Sequence, residues 1–99
     1  MTTLRQLMDE DRRLCILSLL SAQPDYQLNN GLLVRSLQSL GHGVSHDAMN
    51  GLLAWLEEQG LVTVEPINSG LKIVRITRRG LDVAEGRALV PGVRRPDPI

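Results

Sequence analysis

From Leu4 onward apolar residues return at helical spacing, first Leu4, Leu7 and Met8 and then Leu14, Leu17 and Leu20, with Arg5, Asp9, Arg12 and Arg13 between them. Thr3 and Gln6 have capping-box spacing, in which the hydroxyl accepts from a free N–H of the first turn and the Gln side chain reaches back to the cap. Gln23-Pro24-Asp25 breaks the pattern, so a first helix is predicted over residues 4–22. The next start is Leu28-Asn29-Asn30-Gly31, where Asn29 suits a cap and Leu28 a staple onto Leu33. A stripe of Leu32, Leu33, Leu37 and Leu40, ended by Gly41-His42-Gly43, predicts a second helix over 29–40.

Ser45 repeats this logic, with Val44 before the cap and Met49 in the staple position, and predicts a third helix over 45–59. Ala48, Met49, Leu52, Leu53, Trp55 and Leu56 face inward on this phase, leaving His46, Asp47, Asn50, Gly51, Ala54, Glu57 and Glu58 toward solvent. So short a gap between two helices is helix-turn-helix spacing. Two β-prone runs, 61–65 and 71–77, flank the turn formers Pro66-Ile67-Asn68-Ser69-Gly70 and predict an antiparallel hairpin. A last helix over 78–89 follows a Thr77 cap. The fold class is mainly α with a small β-hairpin: a winged helix-turn-helix over residues 1–89, its hairpin loop projecting as the wing. Leu17, Leu33, Leu37, Leu52, Leu53 and Leu56 are its expected core. Pro91, Pro96 and Pro98 around Arg94-Arg95 make 90–99 an extended tail, expected to have no packing of its own.

With no Phe, one Trp and one Tyr, aliphatic side chains must fill the interior. The formal net charge is zero, so no whole-molecule field draws the chain to a polyanion. The charge is nevertheless uneven. Residues 1–60 carry four Arg against seven acids, and residues 61–99 seven Lys or Arg against four, so a polyanion is expected to meet the second part first. Cys15 stands alone in an apolar run and is read as a small buried hydrophobe, consistent with a cytoplasmic protein. Asp9, Glu10 and Asp11 fall where a signal peptide would need basic and then apolar residues, and no apolar run suffices to span a bilayer.

Several segments carry a resemblance: Asp11-Arg12-Arg13-Leu14, the run from Leu53 to Val62 (Leu-Ala-Trp-Leu-Glu-Glu-Gln-Gly-Leu-Val), the run from Thr77 to Arg87, Pro91-Gly92-Val93 and Arg95-Pro96. Together they resemble small winged-helix proteins of Mu-like phages and prophages, loosely labelled ArsR-type regulators. The resemblance covers nearly the whole chain and implies a phage or prophage origin. The pattern Leu56-Glu57-Glu58-Gln59-Gly60-Leu61 with Thr77-Arg78-Arg79-Gly80 is also similar to many bacterial winged-helix regulators, where it marks the end of the third helix, the hairpin and the start of the last helix.

A thiolate metal sensor needs clustered Cys or His, and Cys15, His42 and His46 do not supply one; no metal or cofactor is expected. Asp9-Glu10-Asp11 point in different directions on a helix and read as a solvated face, and no nucleophile–base set or phosphate loop is present in the sequence, so the chain is read as a non-enzyme. For double-stranded DNA, the start of the third helix would enter the major groove, with Ser45, His46 and Asn50 reaching base edges. Phosphate contacts would come from Lys72, Arg75, Arg78 and Arg79 around the hairpin. A small domain with few cations would bind as a homodimer, which doubles those contacts. The alternative is a protein-interaction module, for example in phage assembly or packaging, docking through the acidic third helix or the tail to another phage protein.

Overall fold

Four polar side chains start the four helices. Thr3 accepts from the Gln6 N–H at 3.1 Å and Gln6 accepts from the Thr3 N–H at 2.7 Å, a closed capping box ahead of α1 (Leu4–Ser21). Asn29 accepts from Leu32 ahead of α2 (Asn30–Ser39), Ser45 from Ala48 ahead of α3 (His46–Glu58), and Thr77 from Gly80 ahead of α4 (Arg78–Ala84). Each bond satisfies a donor that a helix's first turn leaves unpaired. These elements belong to a computed structural model that describes residues 1–97.

The predicted hairpin is present, formed by β2 and β3 (Val62–Asn68 and Leu71–Ile76), with a register irregularity between Pro66 and Asn68. A third strand, β1 (Gln27–Asn29), completes an antiparallel sheet in the order β1-β3-β2, with Leu28 opposite Val74. The sequence pattern does not predict β1, because three residues are too few to show an alternation. The strand exists because the chain leaving α1 turns at Tyr26, whose φ is 60°, and the Tyr26 carbonyl accepts from the Ile76 N–H at 3.0 Å.

The core forms where the three longer helices meet the sheet: Ile16, Leu17 and Leu20, Leu33 and Leu37, and Met49, Leu53 and Leu56 pack with Leu61, Val62 and Val74. All six expected core leucines are buried. Three stripe assignments are corrected. Leu4 (72% exposed) and Leu7 (53%) lie on the first turns of α1 with their side chains left open to solvent. On α2 the buried face is Asn30, Leu33, Val34 and Leu37, with Leu32 and Leu40 exposed, because the helix is rotated toward its polar Asn30. Ala48 is exposed, at the edge of α3's buried face rather than within it. The last helix stops at Ala84 instead of 89, as its C-cap turns the chain through Glu85 and Gly86.

The stretch after α4 departs from the extended, unpacked tail. Val90 and Val93 are buried in the same core. Arg13 Nη1 donates to the Gly92 carbonyl at 2.9 Å, and the Arg94 N–H donates to the Glu10 carbonyl at 3.2 Å. Gly92, at φ 100°, lies against the Trp55 ring, where an added Cβ would come within 2.6 Å of the indole. The prolines do exclude a helix here; Val90 and Val93, on either side of Pro91, supply the packing. Residues 98 and 99 lie outside the described residues.

Candidate nucleic-acid interface

α3 presents an outward ridge of Asp47, Gly51, Ala54 and Glu58, all exposed, opposite its buried face of Met49, Leu52, Leu53 and Leu56. One flank of that ridge meets the wing. Lys72 Nζ donates to the Asn50 Oδ1 at 3.3 Å, and the Val64 N–H donates to the Glu57 carboxylate at 3.0 Å. On the other flank lies α1, where the Arg13 guanidinium stacks 4.0 Å from the centroid of the Trp55 ring. A groove of about 250 Å³ opens between the N-terminal half of α1 and the first turns of α3.

The wing's position depends on one buried polar side chain. Asn30 Nδ2 donates to the Gly70 carbonyl at 2.9 Å and Asn30 Oδ1 accepts from the Lys72 N–H at 3.1 Å, tying the turn end of the hairpin to the first turn of α2. A buried amide with both ends bonded fixes geometry as well as satisfying its own polarity. Sequence reasoning missed it, since Asn30 reads there as part of a helix start.

The seven residues expected at a DNA interface separate into groups. Ser45, His46 and Asn50 lie together on the first two turns of α3; the Ser45 oxygen is already the acceptor of the cap, His46 is exposed, and Asn50 is joined by Lys72. Arg75 is on the opposite face of β3, where it donates to Gln27 Oε1 at 3.0 and 3.3 Å. Arg79 Nε donates to the Gln59 carbonyl at 3.0 Å, at the far end of α3 and about 13 Å along its axis from Asn50, and Arg78 is exposed beside it. The four cations therefore form no single patch. Strand alternation separates Lys72 from Arg75, and the length of α3 separates Lys72 from the α4 pair.

Cations nearer the start of α3 come instead from α1: Arg5, Arg12 and Arg13 all line the groove. Their spacing held the signal, since Arg5, Asp9 and Arg12 follow the i, i+4, i+7 stripe of a single helix face. The acidic triplet is also more than a solvated surface. Asp9 pairs with Arg12 at 3.3 Å, and Asp11 takes both His42 Nε2, from the turn between α2 and α3, and Arg94. Cys15 is half-buried beside this cluster. Burial pushes its thiol above the usual value, Asp11 adds to the rise and Arg94 partly offsets it.

No protein-family model matches the chain. Over 96 residues, 96% of this chain and 97% of the relative, it is 47% identical to the uncharacterized protein gp26 of Escherichia phage Mu. It is 38% identical over 77 residues to an uncharacterized protein of Haemophilus influenzae, covering 78% of this chain and 74% of the other. Among solved structures it is similar to a PadR family transcriptional regulator from Eggerthella lenta, at TM-score 0.56 and 31% identity over 75% of this chain and 69% of that one. It also matches the hsRosR-S4 chain of a complex structure at TM-score 0.61 and 20% identity, covering 85% of this chain but only 65% of that chain's length. These likenesses give the winged-helix fold, and neither neighbour carries an ArsR label.

Proposed function

The chain belongs to the family of phage Mu gp26, and from that premise we propose that it is a non-enzymatic, cytoplasmic winged-helix protein of phage or prophage origin that binds double-stranded DNA as a homodimer and regulates transcription. The observation that carries this reading is the bond between Asn50 and Lys72. On this reading Asn50 of α3 contacts a base and Lys72 of the wing, bonded to it, contacts a neighbouring phosphate. With Lys72 on one lone pair of its oxygen, the Asn50 amide keeps a second lone pair and both N–H donors, the set that pairs with adenine in the major groove. Ser45 and His46 stand one turn earlier, where a recognition helix first meets base edges. The PadR likeness supports the same reading at the level of the fold.

Titration of mixed duplex DNA at several salt concentrations tests it. Submicromolar binding that weakens steeply with salt is the expected result, and a dissociation constant no better than about 10⁻⁴ M at physiological salt overturns it.

A second reading, docking to another phage protein, is favoured by one observation: α3 carries no Lys or Arg, while Asp47 and Glu58 are exposed on its ridge. Glu58→Lys separates the two, since it strengthens DNA binding on the first reading and abolishes partner capture on the second. Glu57 is unsuitable for this test because its carboxylate holds the Val64 N–H.

A further inference from the structure

We propose that the groove between α1 and α3 is a phosphate-binding site, in which Arg5 and Arg12 hold a phosphate group against Ala48 and Gly51. The groove is about 250 Å³, lined by Arg5, Asp9, Arg12, Val44, Ala48 and Gly51 among others. That is ample for a phosphate and small for a drug-sized organic ligand. Arg5, Arg12 and Arg13 line it with Asp9 as the single carboxylate, so the lining carries a net positive charge.

Arg12 is the informative member. Its side chain is only 15% exposed, yet its partner Asp9 lies at 3.3 Å, longer than a charge-assisted bond, and its Nε is buried with no acceptor among the described residues. Arg13 is engaged at its Nη1 by the Gly92 carbonyl and over the Trp55 ring, although its Nε is likewise buried with no acceptor among the described residues. A guanidinium so incompletely paired suits a ligand with several oxygens, and phosphate offers the geometry a guanidinium fork matches.

Gly51 is the second, independent observation. It sits inside a 13-residue helix, where glycine is the least favourable residue after proline, and a Cβ added there would meet nothing within 4 Å. The fold has no steric need for glycine at this position. An approaching ligand does, because a bare backbone at the mouth of the groove lets it reach the arginines.

Phosphate oxygens come from a duplex backbone or from a free phosphorylated molecule, and the two sources are separable. Backbone amide spectra of the full chain, titrated with inorganic phosphate against chloride at matched ionic strength, should show saturable shifts at Ala48 and Gly51 with phosphate alone. Arg5→Gln, at an exposed position, should abolish them, and so should Gly51→Leu, while Gly51→Ala, which the fold tolerates, should weaken them. Equal, non-saturating shifts with both salts, or saturation that survives Arg5→Gln and Gly51→Leu, would overturn the site. The duplex arm rests on the DNA reading above. If Arg5→Gln lowers the salt slope of DNA binding by about one, the backbone supplies the phosphate; an unchanged slope with intact phosphate saturation in the parent chain assigns the site to a free ligand. Should the chain bind no DNA at all, that reading fails while the phosphate titration still decides this one.

Discussion

The Lys72 backbone N–H ends on the side-chain oxygen of Asn30, 42 residues away, at 3.1 Å. This bond and its companion to the Gly70 carbonyl hold the wing at a fixed angle to the helix-turn-helix. Replacing Asn30 with Leu removes both and leaves the Gly70 carbonyl and the Lys72 N–H without this partner. The expected loss is about 1–3 kcal/mol in a urea titration. Faster amide exchange at Lys72 should accompany it, and unchanged exchange would show that the hairpin positions itself.

Leu53 is 2% exposed at the centre of α3's buried face. Leu53→Ala should destabilise the chain by about 2–5 kcal/mol, through lost transfer energy and the cavity left behind. Denaturant unfolding giving less than about 1 kcal/mol would contradict the helix phase described here.

Removing residues 90–97 exposes the core surface that Val90 and Val93 cover. Burial of a valine contributes roughly 1.5–3 kcal/mol, so the melting temperature should fall by on the order of 10 °C. A calorimetric scan showing no change would restore the unpacked tail that the prolines alone suggest.

Cys15 gives a pH dependence whose sign follows from its raised thiol. The folded state holds this proton more tightly than the unfolded state, so the contribution is complete below the ordinary thiol value and declines as pH rises above it. Stability measured from neutral to pH 10 should fall more in the parent than in Cys15→Ala. Native labelling by a thiol reagent at pH 8 should also be slower than labelling in denaturant; equal rates would mean that the thiol is not shielded.

On the DNA reading, the split among the interface cations has a measurable consequence. Lys72→Gln should lower the salt slope by about one, whereas Arg75→Gln, on the opposite face of β3, should leave it unchanged. Asn50→Ala should weaken a preferred site more than random duplex, by about 1–3 kcal/mol. Equal losses on both duplexes would remove Asn50 from base readout.

Features encoded within a few residues were legible in the sequence. Thr3, Asn29, Ser45 and Thr77 each cap through a donor three residues ahead, so all four helix starts could be read locally. What the sequence hides depends on distant partners. β1 has no pattern of its own and exists because β3 offers an edge 46 residues later, opposite Gln27 through Asn29. The groove needs α1 beside α3, and the role of Asp11 needs both His42 and Arg94. Leu4 and Leu7 mislead for the opposite reason: their spacing is correct, but among the described residues nothing covers their side of the first turns.

The contact between Arg13 and Gly92 spans 79 positions, so forming it closes most of the chain into one loop. Loops of that length are entropically costly to close, and local helical contacts form first. Docking of residues 90–93 onto α1 is thus expected to be a late event in refolding. Trp55, the one indole in the chain, sits at the docking point against both Arg13 and Gly92. Its fluorescence should therefore lag behind the far-ultraviolet circular dichroism that reports the helices, giving the chain a built-in optical clock for its final step.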